Sequence, residues 1–187
     1  MSLLPITLYG DKILRKKTEK VSDVDVETVK LIKDMFETLR NASGIGLAAN
    51  QVGADKQIFI VDLSAMEDYE ESKPMVFINP QIEKFSDDKI VMEEGCLSIP
   101  DVRSEVERPK NVVIKYMDTN MRVLELEADK LLARVIQHEF DHLQGVLFID
   151  RITDEAKKKM KKDLNKIKQR KKEFDYPVTE HVDYQLL

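Results

Sequence analysis

The stretch Gln137-His138-Glu139-Phe140-Asp141-His142 decides the fold, and it lies near the end of a longer run with helical periodicity, from Asp129 to Gly145. Four residues of this run recur at helical spacing and share one stripe: Leu131, Val135, His138 and His142. On a helix, two imidazoles four residues apart can reach one metal ion. Glu139 directly follows the first histidine and is placed to take a proton from water at that ion. The stretch therefore predicts a central helix that carries the metal site of a hydrolase.

The composition is typical of a soluble globular protein, with 42% hydrophobic and 35% charged residues among 187. This length predicts a single domain over residues 1–187, with a basic C-terminal helix at 152–172 and a tail at 173–187 of unassigned role. The N-terminus lacks the basic flank and apolar length of a signal peptide, and no apolar run approaches the roughly 18 residues that span a bilayer. Cys96 is the one cysteine, so no internal disulfide can form. We therefore expect a cytoplasmic protein with no membrane partner.

Periodicity along the rest of the chain predicts an α+β fold of mainly antiparallel β-sheets around the central helix, with an N-terminal helix and a C-terminal helix. The N-terminal helix has Asp25 as its N-cap and ends at Gly44, and Asp11–Lys20 before it is expected to be an extended arm. Strands are predicted at Gln57–Asp62, at Met75–Ile78 before Asn79-Pro80, and in a hairpin of Val112–Met117 and Val123–Ala128. In the second arm of the hairpin, Leu124, Leu126 and Ala128 alternate with Glu125 and Glu127, which predicts that one face is exposed to solvent.

Two further stretches have compositions that are unusual for a core segment. Gly44-Ile45-Gly46-Leu47-Ala48-Ala49-Asn50-Gln51-Val52-Gly53 is rich in glycine and alanine, which let another backbone approach closely. It is either a substrate-facing loop or a plain turn between a helix and a strand. Glu93-Glu94-Gly95-Cys96-Leu97-Ser98-Ile99-Pro100 contains the cysteine, which is either a small buried hydrophobe or a soft metal ligand. Composition alone leaves both alternatives open.

A hydrolytic metal site needs three protein ligands and one open position, so a third ligand must join His138 and His142. A histidine six residues beyond the second one is absent, because position 148 is Phe148. A downstream carboxylate, as in thermolysin-like proteases, and the Cys96 thiolate both remain candidates. The residues therefore predict either a zinc endopeptidase or a hydrolase with a sulfur ligand.

Taken together, three stretches closely resemble the signature motifs of the peptide deformylase family: Gly44–Gln51, Glu94–Ser98 and Gln137–Leu143. They agree in order, spacing and residue type, and the similarity runs from about Leu4 to Arg151. The resemblance implies that the protein hydrolyses the N-formyl group from the N-terminal methionine of newly synthesised chains in the bacterial cytoplasm and releases formate. Phe174–Leu187 lies outside the similar region.

Carried over residue by residue, the resemblance implies one divalent metal ion per chain with three ligands: Cys96, His138 and His142. The expected native metal is Fe²⁺, and Zn²⁺, Ni²⁺ or Co²⁺ could occupy the site in a purified sample. Glu139 would be the general acid and base. The side-chain amide of Gln51 and the backbone N–H of Leu97 would form the oxyanion hole.

The resemblance also implies a cleft for an extended peptide, which can pair with exposed backbone. Three residues would line this cleft: Ile45, Gly46 and Gly95. An apolar pocket for the methionine side chain would draw on Ile45, Leu131 and Val135. We expect Glu94 and Arg108 to form an ion pair that braces the cysteine loop.

Charge is unevenly distributed along the chain. The formal net charge is −5, yet residues 151–172 carry 11 Lys and Arg against 3 Asp and Glu. A helix from Thr153 or Asp154 to about Lys172 would pack one apolar side on the body and leave its lysines in water. A sharper hypothesis is that its basic face binds the ribosome through RNA, and a catalytically idle RNA-binding protein is the alternative to an enzyme. DNA is not expected as a partner, and His181 in the tail is expected to be solvated.

Overall fold

The computed structural model describes residues 2–180, so the prediction for His181 lies outside the described residues. Three α-helices are present in this range: α1 (Val26–Asn41), α2 (Lys130–Leu143) and α3 (Asp154–Lys168). The same residues form seven β-strands: β1 (Gly46–Ala48), β2 (Ile58–Val61), β3 (Met75–Phe85), β4 (Lys89–Cys96), β5 (Ile99–Pro109), β6 (Val112–Met117) and β7 (Val123–Ala128). All pairs between these strands are antiparallel, which confirms the predicted α+β class.

The N-terminal helix α1 begins as its sequence predicts. The Asp25 side chain accepts a hydrogen bond of 2.7 Å from the backbone N–H of Thr28, which satisfies one of the free donors of the first turn. Ile32, Met35 and Leu39 form its buried face. The helix ends at Asn41, and the backbone N–H of Gly44 then bonds to the Leu39 carbonyl oxygen at 3.0 Å. The chain therefore turns directly from α1 into β1.

The central helix α2 packs against a five-stranded sheet in the order β1-β2-β3-β6-β7. The apolar stripe of α2 that faces the sheet includes Ala133, Ile136 and Leu143, which share one core cluster with Phe59 and Phe77 of the sheet. Burial of this stripe fixes the rotation of α2 about its axis, because any other rotation would expose apolar area to water. The two histidines of the helix are consequently buried as well.

A second sheet, the hairpin of β4 and β5, lies against α2 and was not predicted from the sequence. The Arg134 guanidinium of α2 donates to the carbonyl oxygens of Ile90 at 2.6 Å and Val106 at 2.9 Å. Cys96 pairs with Ile99, so the hairpin reverses through Leu97 and Ser98. The hairpin therefore carries the cysteine stretch to the helix that carries the histidines.

Two local predictions were wrong, one of them only in part. The strand at Met75 does not stop before Asn79 but continues to Phe85, because a bulge accommodates Asn79 at φ +49° and its side chain bonds to both backbone groups of Val21. A 3₁₀ turn occupies Lys12–Arg15 within the predicted extended arm Asp11–Lys20, and residues 17–20 form neither helix nor strand. The predicted solvent-exposed face of β7 is confirmed, since Glu125 and Glu127 are exposed and Ala128 on the other face is buried.

The C-terminal helix α3 begins after Thr153, whose hydroxyl accepts from the Ala156 N–H at 3.2 Å, and it ends at Lys168, four residues earlier than predicted. Leu164 and Ile167 are its buried residues, which agrees with the predicted packing on one side. The chain then returns along the body to Val178, which pairs with Ile6 as a parallel bridge. Among residues 2–180, no helix combines the length and apolar character needed to cross a bilayer.

Candidate metal centre

Three side chains converge where the hairpin turn meets α2: Cys96, His138 and His142. Their ligand atoms all lie within 4.8 Å of one another, and Cys96 Sγ lies 3.2 Å from His142 Nε2. The two imidazoles come from adjacent turns of one buried helix, whereas the sulfur comes from the end of β4. The structure therefore brings together the three residues that the sequence predicts as metal ligands.

The orientation of the first histidine is set by a buried carboxylate. His138 Nδ1 donates to Glu94 Oε2 at 2.9 Å, which leaves the opposite ring nitrogen, Nε2, for the metal site. Burial lowers the pKa of His138, but the facing Cys96 and Glu94 side chains raise it well above its usual value. Burial and the positive charge of His138 lower the pKa of His142 well below its usual value. An imidazole must be neutral to act as a ligand, so a metal ion at this site would require His138 to be deprotonated at Nε2.

Glu94 in turn belongs to a buried ionic network. Arg108 Nε and Nη2 donate to the two carboxylate oxygens of Glu94 at 2.6 and 2.9 Å, and Arg134 Nη1 donates to Oε1 at 2.7 Å. Arg108 Nη1 also donates to Asp141 of α2 at 2.6 Å. Burial raises the pKa of Glu94, yet its partners Arg108 and His138 outweigh burial and hold the pKa well below the usual range. The predicted Glu94–Arg108 ion pair is confirmed, and it extends further than predicted because it joins the hairpin to α2 in two places.

Glu139 faces the site from α2 and is 4% exposed. Its Oε2 has no hydrogen-bond partner among the described residues. Burial raises the pKa of Glu139 to about 7, with smaller and opposing effects from the charges around it. A group that exchanges its proton near neutral pH, with a free oxygen in the site, suits general acid–base chemistry.

Space for Glu139 depends on Gly46 of β1. A Cβ atom at position 46 would lie 2.5 Å from Glu139 Oε1 and 2.7 Å from Val135 Cγ1. The glycine-rich stretch thus faces the cleft and leads into strand β1, as one of the two alternatives predicts, and it continues as a 3₁₀ turn at Ala49–Val52. Any side chain larger than glycine at position 46 would require Glu139 and Val135 to shift.

Gln51 follows β1 and is buried beside the cysteine. Its Oε1 accepts from the Ala48 N–H at 2.8 Å, which fixes the amide so that Nε2 points toward the hairpin turn. Nε2 donates to Ser98 Oγ at 3.2 Å and lies 3.5 Å from Cys96 Sγ. A side-chain donor and the backbone of Leu97 thus lie next to the metal ligands, as an oxyanion hole requires.

A cleft of about 510 Å³ opens over these groups. All five residues predicted to bind the substrate line it: Ile45, Gly46, Gly95, Leu131 and Val135. Met66, Arg103, Phe174 and Tyr176 also line the cleft and were not predicted from the sequence. Phe174 and Tyr176 lie beyond the three motifs, and their aromatic character in a highly polar tail was the one available signal.

The donor set fits a divalent transition metal. The distances between the cysteine sulfur and the two ring nitrogens are all 4.8 Å or less. At such distances, one metal ion between the three atoms can form bonds of about 2.0–2.3 Å to each of them. A soft thiolate with two imidazoles suits zinc, iron, cobalt or nickel, and it excludes calcium and magnesium, which prefer oxygen ligands.

The same architecture occurs in known proteins. A family profile described as Polypeptide deformylase matches residues 3–158. A peptide deformylase of Chlorobium phaeobacteroides (strain BS1) is 46% identical over 184 residues, which cover 97% of each chain. The crystal structure of a peptide deformylase from Synechococcus elongatus in complex with actinonin gives a TM-score of 0.78 at 46% identity, over 86% of this chain and 85% of that one. A peptide deformylase of Arabidopsis thaliana in complex with an inhibitor gives a TM-score of 0.83 at 35% identity, over 96% and 99% of the two chains. This chain therefore belongs to the peptide deformylase family.

Proposed function

We propose that this protein hydrolyses the N-formyl group from the N-terminal methionine of newly synthesised chains and releases formate. The observation that carries the proposal is the convergence of Cys96, His138 and His142 beside the free oxygen of Glu139. In this proposal the first three residues hold one divalent metal ion. When bound, the ion would lower the pKa of water and polarise the formyl oxygen.

Glu139 performs the proton transfers in this proposal. It accepts a proton from the attacking water and returns it to the departing amine, which cannot leave without one. The pKa of about 7 produced by burial supports both steps, since the proton can be taken and given up near neutral pH.

Gln51 and Leu97 stabilise the negative charge that develops on the formyl oxygen. Gln51 Nε2 is already fixed through its Oε1, so little reorganisation is needed when the charge forms. Loss of one such donor lowers kcat by about 10²–10³-fold in comparable sites. An amide suits this position because it donates a hydrogen bond without adding a positive charge next to the metal.

The substrate binds as an extended peptide in the cleft. β1 is an edge strand whose free side is available for pairing with a peptide backbone. The methionine side chain occupies the apolar pocket of Ile45, Leu131 and Val135, which line the cleft beside Glu139. Gly46 leaves room for the Glu139 carboxylate beside this pocket, since a Cβ atom there would lie 2.5 Å from Glu139 Oε1.

Three finer proposals follow from the same function. Fe²⁺ is the native metal, and metal analysis of anaerobically purified protein tests this. The site of action is the cytoplasm, where formylated chains are made.

The basic side of α3 binds the ribosome, since its buried side holds Leu164 and Ile167 while its lysines remain in water. Ribosome binding that is unaffected by salt, or by the double substitution Lys158→Glu and Lys161→Glu, would exclude this contact.

The direct test of function is formate release from formyl-Met peptides by anaerobically purified protein with one metal ion per chain. We expect formate release from the wild type and a large loss in Glu139→Gln at unchanged metal content. Cleavage of internal peptide bonds without formate would instead indicate an endopeptidase. A folded, metal-loaded protein with neither activity would contradict the proposal.

A further inference from the structure

The tail beyond α3 returns to the site. Residues 169–180 turn back along the body, and both ends of this segment are fixed to the N-terminal region. Arg170 Nη2 donates to both carboxylate oxygens of Asp11 at 2.7 and 2.8 Å, and the Thr179 hydroxyl donates to Asp11 at 2.7 Å. Ile6 then pairs with the tail backbone through hydrogen bonds of 2.9 Å to Pro177 and Thr179. The path of the tail is therefore set by contacts that are distant in sequence.

Between these anchors, the tail packs against the hairpin turn. Phe174, Tyr176 and Val178 contact an apolar cluster that also includes Leu97 and Ile99. Phe174 and Tyr176 line the cleft that contains the metal ligands. The Tyr176 hydroxyl donates a hydrogen bond of 2.6 Å to the backbone carbonyl oxygen of Leu97. A residue from the tail thus contacts the backbone of a proposed oxyanion-hole residue directly.

The turn at Leu97 and Ser98 is held from three separate segments. The Tyr9 N–H donates to the Ser98 carbonyl oxygen at 2.8 Å, and Gln51 Nε2 donates to Ser98 Oγ at 3.2 Å. Both of these bonds fix Ser98. Among the described residues, the Tyr176 hydroxyl provides the side-chain bond that fixes the Leu97 carbonyl. The register of the hairpin shifts at Gly95 and Cys96, so its own ladder does not hold this turn in a regular geometry.

We propose that Tyr176 is a positioning residue, which holds the Leu97 backbone so that the Leu97 N–H points at the developing negative charge of the formyl oxygen. This inference rests on the proposed function. The Leu97 carbonyl and N–H belong to one residue, and fixing the carbonyl restricts rotation about its backbone bonds. An N–H that is already aimed stabilises the transition state without the cost of ordering it during the reaction. The tail, which lies outside the residues matched by the family profile, would thereby be part of the active site.

The test is Tyr176→Phe, which removes the hydroxyl and keeps the ring. Tyr116→Phe is the matched control: Tyr116 packs on Phe77 with ring centroids 4.5 Å apart, and its hydroxyl has no hydrogen-bond partner among the described residues. We expect Tyr176→Phe to lower kcat by about 3- to 10-fold, the range of one hydrogen bond, with KM and metal content unchanged. Tyr116→Phe is expected to match the wild type.

A second readout does not depend on activity. Because the turn loses one of its three anchors, the backbone amides of Leu97 and Ser98 in Tyr176→Phe should exchange with solvent several-fold faster than in the wild type. Equal kcat and equal exchange in Tyr176→Phe and the wild type would overturn the inference. Loss of kcat in proportion to loss of metal or of folded protein would also overturn it, in favour of a purely structural role. Absence of formate release by the wild type would instead refute the proposed function, and amide exchange would still decide whether Tyr176 orders the turn.

Discussion

Replacement of Arg108 should destabilise the protein and weaken metal binding together. Arg108 is 2% exposed and bonds to two buried carboxylates, Glu94 and Asp141. Removal of one partner from a buried ion pair typically costs about 3–5 kcal/mol, because the remaining charge stays buried without compensation. Each carboxylate retains one other arginine, namely Arg134 for Glu94 and Arg151 for Asp141. We therefore expect Arg108→Ala to lower the free energy of unfolding by about 3 kcal/mol, at the lower end of this range.

For a chain of this size, about 3 kcal/mol corresponds to a decrease in Tm of about 6–12 °C. Metal affinity should fall about 10- to 100-fold, since Glu94, which orients His138, would be held by Arg134 alone and would lose both bonds from Arg108. The assays are unfolding followed by circular dichroism and metal titration with a competing chelator. Arg108→Met separates charge from packing, because it fills much of the volume but leaves the carboxylates without Arg108. We expect it to be as destabilising as Arg108→Ala, within about 1 kcal/mol.

The matched control is Lys89→Ala on the same hairpin. Lys89 and Glu107 form an ion pair of 3.0 Å with side chains 56% and 57% exposed, and such a surface pair contributes about 0–1 kcal/mol. If Arg108→Ala is no more destabilising than Lys89→Ala, or if Arg108→Met restores wild-type stability and metal affinity, the assigned role of the network is refuted.

Three further predictions test separate parts of the account. Gly46→Ala should lower kcat by about 10²-fold with the fold retained, because the new Cβ displaces Glu139 by about 1 Å; a variant with wild-type kcat would contradict this. Glu139→Gln should lower kcat by about 10²–10⁴-fold while the metal content stays at one ion per chain, measured by elemental analysis. Bonds from Lys30 and Ser2 lower the pKa of Asp34 from 3.8 to about 2, so Asp34 stabilises the fold above pH 3.8 and this contribution is lost as the pH falls through about 2. The difference in unfolding free energy between the wild type and Asp34→Asn should therefore shrink in acid, and a pH-independent difference would argue against it.

The helices and the two histidine ligands could be predicted because their signals are local. Helical spacing in α2 places His138 and His142 on the stripe that packs inward, and a single turn of helix fixes their separation. The Asp25 cap is likewise a contact over three residues. For such features the sequence contains both partners of each interaction within a few residues.

The position of Cys96 relative to the histidines could not be derived from local pattern, and without the family resemblance it remained an alternative. The position of Cys96 depends on the hairpin of β4 and β5, and the sequence pattern does not indicate this hairpin. Inward-facing positions of β5 include Val106 but also the buried Arg108, so the apolar alternation that marks a strand is interrupted by a charge. The Arg108 charge can be buried because its guanidinium donates hydrogen bonds to Glu94 and Asp141, which are distant in sequence.

The contacts of the tail could not be predicted from the sequence either. Tyr176 reaches Leu97 across 79 residues, and the tail is held by Asp11 and Ile6 near the other end of the chain. Contacts between such distant residues leave no periodic signal in a single sequence. The aromatic residues of the tail indicate burial but do not indicate their partners.

X-ray absorption spectroscopy of the zinc-loaded protein tests the central claim most directly. We predict one sulfur ligand at about 2.3 Å and two imidazole nitrogens at about 2.0–2.1 Å, with the sulfur absent from the spectrum of Cys96→Ala. A wild-type spectrum with only nitrogen and oxygen ligands, from protein that contains one zinc ion per chain, would contradict it.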